Sequence, residues 1–529
     1  MFELSGRIDV SSFGKGLNLR VGDINGDGLL EILLIQPKKT SDDRFFPHEI
    51  NFLAAFSKSG ELLWSIGESD TESDFLEEFN LPCQIFDIDN DGNNEVLYIS
   101  GGEFIVLDGT SGSIKKKYPL PSPDACDAII IADLEGKGYP NNIILKNRFH
   151  QLWAMDSNFN VMWTHKGNIG LYPWPYDING DGRDELIAGY TVLSGDGDVL
   201  FTIPDETGYA KYIWAGDLLG TGDGGKAIAV LGDRLTILTM DGEVIFQSEC
   251  DAKDIAFSNI LREVNGTQVA VLNDTLSILT NRLSTLKNLD IKADHISSIH
   301  SPDGSGFDKL ILYSKNNPTV LVGKNLLEEA TFPSAESLIW ADISGDSVSD
   351  IVLLSQGYLE IYLSSHKETL DANVPYSRPQ PKRLYNYTRF AGEMEPEQYA
   401  LFYVTGCFSK DEIEEWATNT TLGKNPRADE VITRADFSVL LVETLGLSAY
   451  ERDNFSDVSK KDYFGKAVGT LKKLGICEGV LGRFNPNAPM TAEAAAQMIN
   501  KAGHSCFAMT DGDLTYRNAA RIVLELLLR

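Results

Sequence analysis

The sequence predicts an all-β propeller of about eight blades, with seven as the alternative, followed by a small α-helical domain. Two observations predict the propeller: an acidic, glycine-containing turn returns about every forty residues, and pairs of short hydrophobic strands lie between those turns. A change to helical periodicity near the C-terminus predicts the second domain. At 529 residues the chain is too long for one ordinary core, which agrees with this division.

The acidic turns follow one plan, in which a hydrophobic approach leads into the turn and a β-branched run follows it. The clearest copies are VGDINGDGLLEILLI, FDIDNDGNNEVLYIS, YDINGDGRDELIAGY and ADISGDSVSDIVLLS, and weaker copies are IADLEGKGYPNNIIL and AGDLLGTGDGGKAIAV. Their first aspartates are 64, 46, 44, 40 and 125 residues apart. Two eroded copies, FSNILREVNGTQVAVL and IHSPDGSGFDKLILY, fit the last interval and bring the number to eight. If one of them is only a loop, the number is seven.

Hairpin signals between the acidic turns complete each unit. Segments such as EFIVLDGTSGSIKKKY and LTILTMDGEVIFQS place two strands around a glycine-containing turn, so that each unit has about four strands, as one propeller blade does. The last unit shows only three strands, which leaves an open sheet edge. We expect the N-terminal stretch FELSGRIDV to supply the missing strand, and the propeller to span residues 1–365.

The acidic turns carry a pattern of oxygen ligands. In DINGDGLLE, oxygen-bearing side chains stand at positions 1, 3, 5 and 9, and the glycine at position 6 permits a tight reversal. Several hard oxygens at short spacing suit Ca²⁺, while the early carboxylate and the β-branched flanks exclude an EF-hand. Turns that bind no metal are the alternative. The predicted ligands are Asp23, Asn25, Asp27 and Glu31; Asp87, Asp89, Asp91 and Glu95; Asp177, Asn179, Asp181 and Glu185; and Asp342, Ser344, Asp346 and Asp350.

These loops resemble the FG-GAP or VCBS repeats of integrin-type propellers over residues 1–365. The stretch YDINGDGRDELIAGYTVLSGDGDVLF, followed by WAGDL, is more narrowly similar to the family 11 rhamnogalacturonan lyases. That similarity implies a calcium-bearing eight-bladed propeller and a polysaccharide lyase activity. Where that family has a histidine-containing GHGDA-like stretch, this sequence has DETGYAKYI, and it identifies no catalytic base.

Composition changes after Ser365, where a proline-containing stretch predicts a linker over residues 366–395. Helical periodicity follows in residues 396–529, where ITRADFSVLLVETLG places Phe437, Leu440 and Leu441 on one face. The block from FSDVSKKDYFGKAVG to MINKAG resembles an S-layer homology repeat, with weaker copies before and after it. The resemblance implies binding of anionic cell-wall polysaccharide through an arginine, and Arg434 stands in the matching position. An ordinary solvent-exposed helix residue is the alternative.

Two tryptophans are further candidates for glycan contact. Trp174 and Trp214 each stand three residues before a loop aspartate, where they could form a platform on which sugar rings stack. Packing between adjacent blades is the alternative.

The charge of the chain limits its partners. A formal net charge of -31 repels phosphate backbones, so we expect no nucleic acid, and no apolar run is long enough for a membrane span. We expect a non-catalytic, calcium-stabilised propeller that binds a carbohydrate or protein and is tethered to the bacterial cell envelope; a calcium-dependent polysaccharide lyase is the alternative. The N-terminus as written shows no secretory signal. We nevertheless expect the cell surface, with the cytoplasm as the alternative.

Overall fold

The structure is a computed structural model of two compact units, one built mainly from Met1–Gly136 and Pro140–Met394 and the other mainly from Phe408–Arg529. The predicted linker lies outside the residues that the structure describes. The described residues are 2–26, 29–38, 48–71, 80–89, 91, 93–137, 140–203, 208–219, 225–261, 264, 266–299, 308–344, 349–364, 431–444, 447, 454–459, 461–479, 482–502, 514–516, 518–519 and 522.

Eight antiparallel four-stranded sheets form the first unit, which confirms the propeller with eight blades. The first four blades contain β2 Asn18–Gly22, β3 Glu31–Pro37, β4 Ile50–Phe56 and β5 Leu62–Gly67; β6 Cys83–Phe86, β7 Glu95–Ser100, β8 Glu103–Asp108 and β9 Ile114–Pro119; β10 Ala128–Ala132, β11 Asn142–Lys146, β12 Gln151–Met155 and β13 Val161–Lys166; and β14 Trp174–Tyr176, β15 Glu185–Ala188, β16 Thr191–Leu193 and β17 Val199–Thr202.

The other four blades repeat the same order. They contain β18 Tyr212–Asp217, β19 Lys226–Leu231, β20 Arg234–Leu238 and β21 Val244–Glu249; β22 Asp254–Ser258, β23 Gln268–Leu272, β24 Leu276–Leu279 and β25 Thr285–Leu289; β26 His295–Ile299, β27 Lys309–Tyr313, β28 Thr319–Val322 and β29 Glu328–Phe332; and β30 Ser337–Ala341, β31 Asp350–Ser355, β32 Tyr358–Ser364 and β1 Phe2–Asp9. Short 3₁₀ turns lie at Ser11–Phe13 and Lys324–Leu326.

Burial within a blade explains the hydrophobic pattern of the sequence. The inner strands are buried on both faces, as in β10 and β11, where every residue is buried, and they are therefore continuous apolar runs. The outermost strands are mostly exposed, as β9 shows, and carry polar residues. The core lies between adjacent blades, and one cluster joins Ile311 of blade 7, Ile351 of blade 8 and Ile32 of blade 1.

The N-terminal strand closes the ring, as the sequence predicts. Strand β1 pairs antiparallel with β32 from Phe2 opposite Ser364 to Asp9 opposite Tyr358, and so becomes the fourth strand of the last blade. Arg7 fastens this strand, because its Nε lies 3.2 Å from Glu360 and its guanidinium lies 3.8 Å from the centre of the Tyr358 ring. Both ends of the propeller therefore belong to one sheet, and blade 8 has four strands like the other blades.

Three α-helices are described in the C-terminal unit: α1 Arg434–Thr444, α2 Gly465–Lys473 and α3 Ala492–Lys501. Backbone hydrogen bonds join three segments in a closed cycle, from Ile432 to Leu514 (2.9 Å), from Leu514 to Met490 (2.7 Å) and from Met490 to Ile432 (2.9 Å). All three residues are buried. Each is followed by a threonine-containing segment, so three copies of one local structure meet around a common centre. Phe437, Leu440 and Leu441 are buried as the periodicity predicts.

Candidate functional site

The acidic loops connect the first and second strands of their blades, and the first residue of the second strand closes each loop. In blade 1, Glu31 accepts the backbone N–H of Ile24 at 2.9 Å, and in blade 2, Glu95 accepts that of Ile88 at 3.0 Å. We call this residue the loop-closing residue. Its carboxylate replaces the backbone partner that a tight loop cannot supply, which is why the sequence places an acidic residue there.

The loop-closing residues differ in charge around the ring. Asn142 in blade 3 accepts the N–H of Leu134 at 2.9 Å, and Gln268 in blade 6 accepts that of Ile260 at 3.0 Å, so a neutral amide makes the same bond. Only a carboxylate adds the negative charge that a divalent cation needs. The same position in blades 1 to 8 holds Glu31, Glu95, Asn142, Glu185, Lys226, Gln268, Lys309 and Asp350, and we keep the name loop-closing residue for all eight. The two lysines cannot make this bond, because an ammonium group only donates hydrogen bonds.

The loop of blade 4 is described in full. Asp177 accepts the backbone N–H groups of Gly180 at 2.7 Å and Gly182 at 2.9 Å, which folds the loop around its first carboxylate. Asn179 accepts the N–H of Asp181 at 2.8 Å. Both glycines have positive φ angles, 76° and 83°, which residues with a side chain rarely adopt. This backbone conformation explains why the pattern contains glycine.

The charges of this loop suit a cation. Burial, together with the nearby carboxylates of Asp177 and Asp181, raises the pKa of Glu185 to about 7. Burial also raises the pKa of Asp177. A divalent cation would compensate these crowded charges, and carboxylate and amide oxygens are the donors that Ca²⁺ prefers. The residues present therefore fit calcium, whose binding here stays a prediction.

The loops of blades 1 and 8 share this arrangement. In blade 1, Asp23 accepts the N–H of Gly26 at 2.8 Å, and Asn25 donates to Glu31 at 3.2 Å. In blade 8, Asp350 accepts the N–H of Ser344 at 2.8 Å, and burial raises its pKa to about 7. Asp342 lies within 3.5 Å of the Ser344 hydroxyl. Two further predicted ligands, Asp27 and Asp346, lie outside the described residues.

The loop of blade 2 already holds a cation. The ammonium group of Lys115 lies 3.1 Å from Asp89, 3.3 Å from Asp91 and 2.7 Å from Glu95. In this loop the ligand atoms of Asp87, Asp89 and Glu95 all lie within 4.8 Å of one another. Hydrogen bonds to Glu95 and Asp89 outweigh partial burial and raise the pKa of Lys115, so that it stays charged. The IKKKY segment shows the lysine, but its partner Glu95 is twenty residues away and sequence alone did not pair them.

The two tryptophans do not form an exposed platform in this structure. Trp174 is 0% and Trp214 is 2% exposed, and Trp214 stacks on Phe257 of the next blade with ring centres 4.9 Å apart. Both tryptophans instead pack between adjacent blades, because they lie on innermost strands that neighbouring blades cover. Exposed aromatic surface lies elsewhere, where Tyr209 stacks on Phe149 at 4.0 Å.

A buried ionic cluster that the sequence analysis did not single out surrounds Asp127. Its carboxylate contacts Lys146, and lies 2.7 Å from His48 and 3.2 Å from Arg148. Asn80 donates to the same carboxylate at 2.6 Å. The cluster joins segments of blades 1, 2 and 3. The only sequence signal is the pair of cations in ILKNR at the end of an otherwise apolar strand.

Arg434 lies at the first residue of α1 and is partly buried. Its Nε donates to the carbonyl of Phe484 at 3.1 Å, and its guanidinium lies 4.9 Å from the centre of that ring. Among the described residues, its two terminal nitrogens have no hydrogen-bond partner, so they remain available to an anion. The equivalent positions after the capping Thr491 and Thr515 hold Ala492 and Tyr516. The arginine that follows Tyr516, Arg517, lies outside the described residues.

Asp436, the acidic residue of the same segment, has a structural role. It is 1% exposed and accepts hydrogen bonds from the hydroxyls of Tyr463 and Tyr516, and from Thr433 at 2.9 Å. Tyr463 and Tyr516 come from the two following repeats. Asp436 therefore fixes the start of α1, and with it the backbone that carries Arg434.

Part of the C-terminal unit matches a known domain family. Residues 454–496 match the S-layer homology domain, and no helix of the described residues is long and apolar enough to cross a membrane. No curated protein matches the chain. An S-layer homology domain indicates attachment to the cell envelope.

The propeller is similar to solved polysaccharide lyases. The exotype rhamnogalacturonan lyase YesX matches with a TM-score of 0.54 and 16% identity, covering 74% of this chain and 76% of its own. The rhamnogalacturonan lyase PL11 of Bacillus licheniformis matches with a TM-score of 0.51 and 17% identity, covering 71% and 76%. At such identity the likeness shows the fold alone. The chain thus combines a propeller of this fold with a C-terminal S-layer homology domain.

Proposed function

We propose that this protein is a non-catalytic, calcium-stabilised propeller that binds a carbohydrate or protein and is tethered to the bacterial cell envelope. The C-terminal unit binds anionic cell-wall polysaccharide, and the propeller is displayed at the cell surface. Calcium fills carboxylate-closed loops and stabilises the ring, since several oxygen ligands converge only in the folded loop.

The main support for the tether is the match of residues 454–496 to the S-layer homology domain. The position of Arg434, whose Nε donates to the carbonyl of Phe484, adds to it. Because the chain has a net charge of -31, it must recognise an anionic polymer through local cations. Arg434 is held by Phe484 through one nitrogen, which leaves a planar pair of donors for a carboxylate or phosphate.

A cosedimentation experiment with purified cell-wall polysaccharide tests the tether. The full chain should pellet with the polymer, and Arg434→Ala should weaken the affinity about tenfold to a hundredfold, since a charge-assisted hydrogen bond contributes about 1.5 to 3 kcal/mol. Arg483→Ala is the matched control, because Arg483 is exposed in the same unit and its loss changes the net charge equally. Failure of the wild type to pellet overturns the tether, and equal weakening by both variants overturns the role of Arg434.

Lyase activity is the competing function, and only the fold likeness favours it. In a calcium-dependent lyase the ion binds a uronate carboxylate and a basic side chain removes the neighbouring proton. Incubation with pectic polymers separates the two functions. Ultraviolet absorbance of an unsaturated uronate product, formed by the protein in calcium and absent in EGTA, would show that the propeller is catalytic.

A further inference from the structure

The fourth strand of every blade carries a bulge, and in three blades the bulge residue contacts the loop-closing residue. In blade 2 the register passes from Lys116 opposite Val106 to Ile114 opposite Leu107, which leaves Lys115 unpaired in the strand. The bulge turns this side chain toward the acidic loop, where its ammonium group lies 2.7 Å from Glu95.

The same contact recurs in two other blades. In blade 7 the bulge residue is Glu329, and it lies 2.6 Å from the loop-closing Lys309, so the charges are exchanged relative to blade 2. In blade 3 the bulge residue Met162 lies 3.5 Å from Asn142. In blades 2, 3 and 7 the bulge residue therefore contacts the loop-closing residue, and in blades 2 and 7 the two residues have opposite charges.

The bulge residues of the other carboxylate-closed loops are neutral. They are Leu63 in blade 1, Leu200 in blade 4 and Ser5 in blade 8, as the register of each fourth strand shows. None of these three side chains can bring a positive charge to its loop. At the bulge position, blade 2 thus differs from blades 1, 4 and 8 in placing a positive charge beside its loop.

We propose that Lys115 is a built-in cation that takes the place of calcium in the loop of blade 2, so that calcium binds other carboxylate-closed loops and not this one. The ammonium group contacts three of the four predicted ligands of that loop, at 2.7 to 3.3 Å. A divalent ion at the same point would meet the lysine charge at close range and would have to displace it. This inference rests on the calcium binding of the proposed function.

Counting bound calcium ions per full chain by equilibrium dialysis tests the inference. Lys115→Met keeps the length of the side chain and removes its charge, and it should bind one more ion than the wild type. Leu200→Lys places a lysine at the blade 4 bulge, where the side chain is exposed and has room, and it should bind one ion fewer. The paired variants change the count in opposite directions, so a general change in net charge does not explain both.

Lys117→Met is the matched control. Lys117 lies on the same strand, forms an ion pair with Glu103 at 2.7 Å, and contributes the same charge. Its loss should leave the ion count unchanged. Lys115→Met should also melt at a lower temperature than Lys117→Met in EGTA and recover in calcium, because the loop then loses the ammonium group that contacts its carboxylates.

The outcomes separate this inference from the calcium proposal itself. A wild-type count equal to that of Lys115→Met overturns the inference, even when both bind calcium. If the wild type binds no calcium and Lys115→Met binds one ion, Lys115 does take the place of calcium in blade 2, but calcium binding by the other loops is wrong. Absence of calcium from both chains, with equal melting in EGTA, overturns both.

Discussion

Asp127 shows how one buried carboxylate can connect several blades. Burial by itself would raise its pKa, but the ion pair with Lys146, the hydrogen bond from His48 and the charge of Arg148 lower it well below its ordinary value. An uncompensated charge at this depth would be strongly unfavourable, so each member of the cluster depends on the others.

Replacing Asp127 by asparagine should destabilise the protein by about 3 to 5 kcal/mol at neutral pH, because Lys146 and Arg148 are left buried without their counter-ion. The folded-state pKa lies below the unfolded-state value of about 4, so the contribution is complete above pH 5 and is lost as the pH falls toward the folded-state pKa. Urea unfolding at pH 7 and pH 3 measures this difference, which should shrink in acid.

Asp198→Asn is the control for that measurement, because Asp198 is exposed on the same ring. It should change the free energy of unfolding by less than about 0.5 kcal/mol at either pH. If Asp127→Asn behaves like the control, the cluster does not stabilise the folded chain.

Individual side chains also show where prediction from sequence ends. The loop carboxylates were predictable, because their spacing lies within nine residues and repeats. The contact of Lys115 with Glu95 was not predictable, since Lys115 lies at a bulge in β9 and Glu95 is the first residue of β7. The burial of Trp174 and Trp214 likewise depends on neighbouring blades, which a single repeat does not reveal.

At the scale of the blade, the outer hairpins interlock with their neighbours. The Nε1 of Trp163 in blade 3 donates to the carbonyl of Gly195 in blade 4 at 2.9 Å, and a Cβ added to Gly197 would lie 2.7 Å from the same indole. Trp64 of blade 1 and Gly112 of blade 2 repeat this arrangement, with a distance of 2.8 Å. These turn glycines thus allow the hairpin to reverse direction and leave room for the tryptophan of the neighbouring blade.

Gly197→Ala should therefore destabilise the propeller more than a substitution at an uncrowded glycine that also has a positive φ. Its φ of +87° already disfavours a side chain, and the added methyl group would displace Trp163. Gly101→Ala is the matched control, since Gly101 has a φ of +62° and nothing within 4 Å. Urea midpoints should show a cost of about 1 kcal/mol for the control and at least 1 kcal/mol more for Gly197→Ala. Equal costs would mean that the indole contact does not join the blades.

For the whole molecule, the repeat period was the most informative feature of the sequence. Eight copies of the repeat, two of them eroded, predicted about eight blades with seven as the alternative, and the structure has eight. The three-stranded last unit predicted the closure by the N-terminal strand, because a propeller has to pair its final edge. The eroded copies in blades 6 and 7 kept their strands although they lost their acidic turns. The fold of the repeat is therefore independent of the acidic turn, and only the fold is common to all blades.

Calcium should raise the melting temperature of the full chain. Ions that bind only the folded loops stabilise by about 2.7 kcal/mol per site at a hundredfold excess over Kd, and the closed ring makes the loops of distant blades unfold together. Because the chain carries a net charge of -31, simple screening also stabilises it, so calcium is compared with magnesium and with sodium chloride at equal ionic strength. The rise should be specific to calcium and smaller in Asp177→Asn, which removes one negative charge from the ligands of the blade 4 loop. Identical melting in calcium and EGTA, or an equal rise in all three salts, would show that the loops are turns without a metal.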